Sequence, residues 1–388
     1  MEFSCFATCS KGLEGVLSQE LAALGLANAP GQGAVRFRAS WAKIAEANLW
    51  LRTAVRVLLE LASAPCRNRE ELYQLASSVA WEDLIAPGTT VAVRVAGKSG
   101  AFTNTHFAAL VVKDALVDRL RSRRGFRPGV NVKDPNVPLL LHLAETTATL
   151  SLDTSGQPLT HRGYRPKGAL APLAEHLAAG LVLLSGYDGH VPFLDPMCGA
   201  GTLVVEAALI AGSRAPGASR SFAFERWSFV NPTWVRQARE EAASKARPLV
   251  EPIQGFDLHP KAVAQARKAA IRAGVKEVRF ARHDARELPP LPSGTLVVTN
   301  PPYGVRLGEE QALRKLYRAF GDQLKAKAKG CTAWLLCGNP TLAKELGLKP
   351  VRKIELYNGP LRCQFCCYPV VEGTFRKKTV PRAGKLET

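Results

Sequence analysis

The second half of the chain alternates β-strand and α-helix patterns in a fixed order, and this alternation constrains the fold more than any other feature. Short apolar runs such as VPFLDP, PIQGFDL and TLVVTN predict strands, and each is followed by a segment with apolar residues at helical spacing. Strands that alternate with helices are typical of βα units around a parallel sheet. From about residue 170 onward we therefore predict a doubly wound α/β sheet.

The end of this region departs from the alternation. The segments RKIELYNG and LRCQFCCYPVV predict a final antiparallel hairpin with Asn358-Gly359 in its turn. Cys363, Cys366 and Cys367 in the second segment include one C-x-x-C, but no second pair completes a zinc site, so we expect core residues and no metal. The tail TFRKKTVPRAGKLET is basic and polar and is expected to be mobile.

The chain up to about residue 155 mixes helix and strand patterns and predicts a smaller α+β module. GAVRFRA and TTVAVRVAG predict strands, THFAALVVKDALVDRLRSRRG predicts a long helix, and VPLLLHLAETTATLSLDTSG predicts two adjacent strands. The segment WAKIAEANLWLRTAVRVLLELA is expected to form one amphipathic helix. The turn-rich stretch LTHRGYRPKGALAP then links this module to the next.

The charge of the chain points to a polyanionic partner. Its 388 residues include 52 Lys and Arg against 33 Asp and Glu, a net charge of +19. Such a surface attracts nucleic acid most commonly, with an anionic membrane surface as the alternative. A cluster at the end of the long helix is either a solvated helix end or a phosphate-contacting patch, and the net charge favours the patch. Its members are Arg119, Arg121, Arg123, Arg124 and Arg127.

The sequence also indicates where the protein works. No stretch approaches the roughly 18 consecutive apolar residues of a transmembrane helix. The start MEFSCFATCSKG lacks the basic region and long apolar core of a secretory signal. Nine scattered cysteines are too few for a disulfide scaffold. We therefore expect a soluble cytoplasmic protein without a membrane partner.

Three acidic strand ends outline a ligand pocket. The segment Asp195–Thr202 lies between a strand and a helix, and its glycines Gly199 and Gly201 allow a sharp turn and a close approach of ligand to backbone. Asp257 ends the next strand, where a carboxylate accepts hydrogen bonds from ribose hydroxyls, and Asp284 ends the third, which suits an adenine amino group. This ordered set predicts a nucleoside site at the carboxyl edge of the sheet.

The motif Asn300-Pro301-Pro302-Tyr303-Gly304 follows an apolar strand and suits chemistry on a planar amine. Such an amine is a poor nucleophile because its lone pair is delocalised into the ring. The side-chain oxygen of Asn300 and the carbonyl of Pro301 can each accept one of its N–H groups, which orients the nitrogen toward an electrophilic methyl group. Pro302 stiffens the loop, and the ring of Tyr303 offers a face for an extruded base.

These motifs resemble those of a known family. DPMCGAGT, the acid of GFDLHP, RHDARELP and NPPYG resemble motifs I to IV of class I S-adenosylmethionine-dependent amino-methyltransferases. THRGYRPKGALAPLAEHLAAGL, FAFERW and YNGPLRC resemble signatures of the THUMP-domain RNA guanine-N2 methyltransferases, especially the bacterial enzymes of 23S ribosomal RNA, with a sister group that acts on tRNA. The resemblance implies a ferredoxin-like subdomain, a THUMP domain that grips RNA, and a Rossmann-like catalytic domain.

The resemblance also implies a division of the chain and a role for each motif residue. The expected parts are a ferredoxin-like subdomain, a THUMP-like domain, a linker, a methyltransferase domain and a basic tail, at residues 1–45, 46–155, 156–170, 171–375 and 376–388. The residues implied for S-adenosyl-L-methionine binding are Asp195, Pro196, Met197, Cys198, Gly199, Gly201, Thr202, Asp257, Asp284, Asn300 and Pro172. The residues implied for holding the target guanine are Asn300, Pro301 and Tyr303. Those implied for contacting the substrate RNA are Pro302, Tyr303 and the arginine cluster.

The function implied is methyl transfer from S-adenosyl-L-methionine to the exocyclic N2 of a guanine in structured RNA, which leaves S-adenosyl-L-homocysteine (SAH). We expect 23S rRNA as the substrate and no obligatory protein partner. Several alternatives stay open at this point. They are a tRNA acceptor, methylation of adenine N6, cytosine N4 or a glutamine amide by the same motif, and a non-catalytic RNA-binding factor of ribosome assembly.

Overall fold

The computed structural model describes residues 2–165, 173–303 and 310–371. Pro172, residues 166–170 of the expected linker, the expected domain end at 375 and the basic tail lie outside these ranges. No helix within them is long and apolar enough to cross a membrane. All nine cysteines fall within them, and each is a free thiol.

The N-terminal module is built on one eight-stranded sheet with the strand order β2-β3-β1-β4-β8-β7-β5-β6. Four helices accompany these strands. In chain order the elements are β1 (Phe3–Cys9), α1 (Glu14–Ala23), β2 (Asn28–Pro30), β3 (Ala34–Ala39), α2 (Trp41–Trp50), β4 (Ala54–Pro65), α3 (Arg69–Ser78), β5 (Thr90–Gly97), α4 (Thr105–Arg124), β6 (Gly129–Val130), β7 (Val137–Leu143) and β8 (Thr147–Asp153). The sheet thus runs without a break across the expected boundary between the two N-terminal subdomains.

The prediction of a single helix from Trp41 through Ala62 is wrong. Helix α2 ends at Trp50, and Leu51 already has an extended backbone. The residues that follow form β4, which pairs with β1 on one side and β8 on the other. Its buried residues are Ala54, Val57, Leu58 and Leu59, and its pairing with β8 shifts register between Glu60 and Ala62, so β4 lacks the regular alternation that marks a half-exposed strand. Apolar spacing alone does not separate such a strand from a helix.

The long helix α4 forms as predicted and has clear signals at both ends. The Asn104 side chain accepts a hydrogen bond from the backbone N–H of Phe107, which caps the first turn. Gly125 ends the helix in the left-handed conformation with φ of 72°. The arginine cluster therefore lies on the last two turns of α4 and just beyond them.

The second module contains a seven-stranded sheet with the order β11-β10-β9-β12-β13-β15-β14. Its elements are α5 (Glu175–Leu184), β9 (Phe193–Asp195), α6 (Thr202–Ala211), α7 (Pro232–Ser244), β10 (Ile253–Asp257), α8 (Pro260–Arg272), β11 (Arg279–Arg282), β12 (Leu296–Thr299), α9 (Glu310–Lys327), β13 (Thr332–Cys337), α10 (Pro340–Glu345), β14 (Arg352–Asn358) and β15 (Leu361–Pro369). Strands β9 to β13 pair in parallel, which confirms the doubly wound α/β sheet.

The last two strands form the predicted antiparallel hairpin. Asn358 pairs with Leu361, and Gly359 occupies the turn with φ of +60°. Strand β15 also pairs antiparallel with β13, so the hairpin closes one edge of the sheet. Cys363, Cys366 and Cys367 are buried in this strand, as the sequence predicts for core residues.

The segment between α6 and β10 packs on the N-terminal module. Its helix α7 contacts α2, and the Trp227 indole N–H donates to the backbone carbonyl of Asn136 at 2.8 Å. The Trp227 ring also lies edge-on to Trp41, with 6.1 Å between ring centroids. Burial of these large aromatic surfaces stabilises the contact and ties the two modules together.

Candidate active site

A cavity of about 920 Å³ opens at the carboxyl ends of β9, β10 and β12. Strand β9 lies between β10 and β12, so the chain leaves it in opposite directions to build the two halves of the sheet. Ligands of open α/β sheets bind in the crevice that this reversal creates. The structure brings together there most of the residues that the sequence singles out: Asp195, Pro196, Met197, Cys198, Gly199, Thr202, Asp257, Asp284, Asn300, Pro301, Pro302 and Tyr303.

The two glycines of the turn after β9 have different roles. Both adopt left-handed backbones, with φ of +54° at Gly199 and +80° at Gly201. A Cβ added to Gly199 would meet no atom within 4 Å, because that residue borders the open cavity. A Cβ on Gly201 would lie 2.8 Å from the Cβ of Ala266 and 3.0 Å from the Phe280 ring. Gly201 is not among the residues that line the cavity and instead allows α6 to pack closely on its neighbours.

Asp195 is a buried carboxyl group in the cavity wall, with only 2% of its surface exposed. One of its oxygens accepts a hydrogen bond from the backbone N–H of Met197 at 3.2 Å. Burial raises the pKa of Asp195 to about 7, and the nearby charge of Asp257 acts in the same direction. The protonation of this group therefore changes near neutral pH.

The other two acids at strand ends are hydrogen-bonded in different ways. Asp257 accepts the backbone N–H groups of Gly199 and His259, each at 2.9 Å, one on each oxygen. A carboxylate has about four acceptor sites, so Asp257 keeps capacity for ligand hydroxyls. Asp284 forms an ion pair with Arg286 at 2.6 Å, and hydrogen bonding to that guanidinium lowers the pKa of Asp284. Arg286 is largely exposed, so this pair contributes little to stability.

Asn300 follows β12 and supplies an unused hydrogen-bond acceptor. Its side-chain oxygen Oδ1 is buried and has no partner among the described residues. Pro301 beside it is buried, and Pro302 is exposed. A buried amide oxygen without a partner carries a free-energy cost of about 1–3 kcal/mol, which a ligand donor would relieve.

Tyr303 is held in the cavity wall by the hairpin. The Asn358 side-chain amide donates to the Tyr303 hydroxyl at 2.7 Å. Gly338, after β13, lies beneath the same ring: an added Cβ would stand 3.1 Å from the Tyr303 ring and 2.7 Å from a methyl of Leu361. The absence of a side chain at Gly338 therefore lets Tyr303 and Leu361 meet along one wall.

Comparison with known proteins identifies the family. A model described as the RMKL-like, methyltransferase domain matches residues 162–366, which is more than half of the chain. The chain belongs to the RMKL-like methyltransferase family. Two further models match the N-terminal module of this family member: the RlmL ferredoxin-like domain at residues 4–58 and the THUMP domain at residues 66–153. The fold class expected from the sequence is thus confirmed, while the expected domain boundaries stay predictions.

Relatives of this RMKL-like methyltransferase are similar over most of the chain. A ribosomal RNA large subunit methyltransferase K/L of Pseudomonas paraeruginosa is 41% identical, over 93% of this chain and 52% of the relative. The chain spans about half the length of the curated relatives it matches. The solved structure of SMU.472 in complex with SAH is 32% identical, with a TM-score of 0.88 and coverage of 96% of this chain and 99% of that chain. A predicted N6-adenine-specific DNA methylase of Listeria monocytogenes is 31% identical, with a TM-score of 0.87 and coverage of 95% and 96%.

The sequence motifs do not identify several of the residues that line the cavity. The segments after β10 and β11 supply some of them, and α9 and the hairpin supply the others from distant parts of the chain: Leu258, His259 and Arg286, and Leu313, Lys315, Leu316, Asn358 and Leu361. The motif YNGPLRC contains both Asn358 and Leu361, so that signature was the signal that could have located them. Nothing in the local sequence marks Lys315 or Leu316 on α9, because only packing brings that helix to the cavity.

The arginine cluster on α4 is not uniform. Arg119 donates to both carboxylate oxygens of Glu82, at 2.9 and 2.8 Å, and to the carbonyl of Ser77. Arg119 therefore holds α4 against the segment that contains Glu82. The two residues are 37 positions apart, so no local sequence pattern predicts this contact. The other four members are exposed and form no ion pair within the ranges described: Arg121, Arg123, Arg124 and Arg127.

Proposed function

We propose that this chain transfers a methyl group from S-adenosylmethionine to the exocyclic N2 of a guanine in RNA, with large-subunit ribosomal RNA as the substrate. The buried, unpartnered Oδ1 of Asn300 at the cavity wall is the observation that carries this proposal. The names of the similar K/L methyltransferases support the RNA class. The solved SAH complex of SMU.472 supports the cofactor.

The residues present fit the cofactor. Gly199 borders open space, and Asp257 retains acceptor sites that suit ribose hydroxyls. Asp195 lies on the same wall, where its carboxylate suits the ammonium group of the methionine part. When bound, S-adenosylmethionine supplies an electrophilic methyl group.

The chain's own part in the reaction is orientation. The Oδ1 of Asn300 accepts one N–H of the guanine amine, and the backbone carbonyl of Pro301 accepts the other. Two fixed acceptors aim the nitrogen lone pair and favour the positive charge that develops on the amine during transfer. The Tyr303 ring, fixed by Asn358, provides a stacking face for the extruded base. The proton that the amine loses afterwards passes to water.

The N-terminal module would bind the RNA away from the reacting base. It contains the THUMP match and the four exposed arginines at the end of α4. Such residues contact phosphates and fix the position of the RNA without reading its sequence. The excess of 19 positive charges favours the same partner, and binding is expected to weaken strongly with salt.

The variant Asn300→Ala tests this assignment. It removes one of the two acceptors, so we expect kcat on unmodified 23S rRNA to fall by about 10²- to 10³-fold. The affinity for SAH, measured by calorimetry, should change less than about twofold, because the acceptor oxygen is assigned to the amine rather than to the cofactor. Full turnover by the variant would contradict the proposal, and loss of SAH binding would place Asn300 on the cofactor instead.

A further inference from the structure

The outer edge of the catalytic sheet carries an excess of positive charge. Between residues 260 and 287, eight Lys and Arg face three Asp and Glu. Arg286 pairs with Asp284, and Arg267 donates to the carbonyl of Phe280. The other six are exposed and form no ion pair within the part of the chain that the structure describes: Lys261, Lys268, Arg272, Lys276, Arg279 and Arg282. We call these six residues the α8–β11 basic surface.

The helical members of this surface share one face of α8. Lys261, Lys268 and Arg272 are separated by seven and four positions, which places them in line along a helix. At 1.5 Å per residue the row is about 16 Å long. It contains no acidic residue, since α8 has none anywhere along its length.

One end of the surface reaches the rim of the active-site cavity. Strand β11 is the outermost strand, and its parallel register sets Arg282 beside Asp257. Arg282 also donates to the carbonyl of Leu258, a residue that lines the cavity. His259, which immediately precedes α8, lines it as well. The basic surface therefore starts at the cavity and runs away from it along the sheet edge.

Stability of the protein does not account for this charge pattern. Lys261 lies in the first turn of α8, where a positive charge opposes the helix dipole and is destabilising. On α9, by contrast, three of the five cations pair with neighbouring acids: Arg314 with Glu310, Arg318 with Glu345 and Lys325 with Asp322. Positive residues do protect an exposed strand edge, which would explain Arg279 and Arg282 but not the row on α8.

We propose that the α8–β11 basic surface is a second RNA-docking site, which holds the phosphate backbone next to the nucleotide that enters the cavity. The proposal rests on the RNA substrate proposed above and adds a contact made by the catalytic domain itself. A row of unpaired cations that leads to the cavity complements a strand of phosphates. Its position at the rim would fix the RNA near the reacting base, while the N-terminal module holds it elsewhere.

The triple variant K261Q/K268Q/K276Q of the full chain tests this site. The three lysines are exposed and become neutral polar side chains, so folding should be preserved. We expect affinity for in vitro transcribed, unmodified 23S rRNA to fall at least about tenfold near 0.1 M salt. The slope of log affinity against log salt concentration should become shallower by about two to three, since each lost phosphate contact removes about one. Affinity for SAH should stay at the wild-type value.

A matched variant separates the specific site from a loss of total charge. K325Q/K327Q/K349Q removes three exposed lysines from α9 and the loop after α10, so it should lose less than threefold in RNA affinity. Equal losses of RNA affinity in the two triple variants would overturn the docking site. Wild-type RNA affinity in K261Q/K268Q/K276Q would also overturn it, and an acidic protein would then be the partner of this surface. If the wild-type protein itself neither binds nor methylates the RNA, the proposed function fails rather than the location of the site.

Discussion

At the scale of single residues, the active site keeps one carboxyl group poised between its two protonation states. Asp195 is buried in the cavity wall, and that burial raises its pKa to about 7. The ordinary pKa of Asp is about 3.9, so burial favours the neutral acid at pH values between this ordinary pKa and the raised one. An ammonium group placed beside Asp195 would favour the carboxylate and draw its proton away. Cofactor binding should therefore depend on pH near neutrality.

We expect the affinity for SAH to rise as pH increases from 6 to 7.5. Below its raised pKa Asp195 is mostly protonated and does not attract the ligand's ammonium group, whereas above it the carboxylate is present. If only the ionised form binds well, the affinity grows up to about tenfold over this interval. Calorimetric titrations at several pH values measure the effect.

The variant Asp195→Asn provides the control, because it keeps a hydrogen-bond acceptor for Met197 and cannot ionise. Its SAH affinity should be low and flat over the same interval. A wild-type profile without pH dependence would show that Asp195 does not contact the charged end of the cofactor. A variant that retains the full pH dependence would assign the titration to a group other than Asp195.

Among the secondary-structure elements, the β14–β15 hairpin shapes the side of the cavity on which Tyr303 lies. Its turn places Asn358 within hydrogen-bonding distance of the Tyr303 hydroxyl and brings Leu361 against the same wall. The NPPY loop and the hairpin are 55 positions apart in the chain, so the sheet order, not the local sequence, creates this contact. Asn358 is therefore a positioning residue that acts through Tyr303.

We predict that Asn358→Ala and Tyr303→Phe each raise the KM for RNA about three- to tenfold, since either change removes the same hydrogen bond of about 0.5–1.5 kcal/mol. The double variant should be no worse than either single one, because two members of one interaction are not additive. SAH affinity should stay within about twofold in all three. Steady-state kinetics of this double-mutant cycle would reject the positioning role if the two effects multiply.

The elements also show where sequence reasoning succeeds and where it does not. Helix α8 and strand β12 are bounded by local signals, such as Pro260 at the helix start and the loop prolines after Thr299, and they were located from the sequence. The apolar spacing of β4 predicts a helix. Its residues form a strand because they pair with β1 and β8, which a local stretch of sequence does not contain. The residues that line the cavity likewise include some that local sequence motifs predict and some that they do not. Asp257 and Asn300 carry motif signals, whereas Lys315 reaches the cavity only because α9 packs there.

At the scale of the whole molecule, a buried ion pair joins the two modules. Arg162, the first residue of the match to the methyltransferase domain, pairs with Glu206 on α6 and donates to the backbone carbonyl of Arg52 in the N-terminal module. The Tyr164 hydroxyl donates to the second oxygen of Glu206 at 2.6 Å. Arg162 and Glu206 are almost completely buried, so each charge depends on the other. This cluster therefore joins the N-terminal module to the helix that follows the turn at Gly199 and Gly201.

Arg162→Met should destabilise the protein by about 3–5 kcal/mol, because it leaves the carboxylate of Glu206 buried without its partner. Denaturant unfolding, followed by circular dichroism, measures the loss. The double variant Arg162→Met with Glu206→Gln should recover most of it, since the second change removes the unpaired charge and keeps an acceptor for Tyr164. If the single variant unfolds at the wild-type denaturant concentration, the pair does not join the modules in this way.

The activity that we propose for this chain is methylation of guanine N2 in ribosomal RNA. Its most direct test is incubation with isotope-labelled S-adenosylmethionine and either unmodified 23S rRNA or bulk tRNA, followed by mass spectrometry of the nucleosides. We expect labelled N2-methylguanosine from the 23S rRNA and none from the tRNA. Label in N6-methyladenosine or N4-methylcytidine, or N2-methylguanosine from the tRNA alone, would contradict the account.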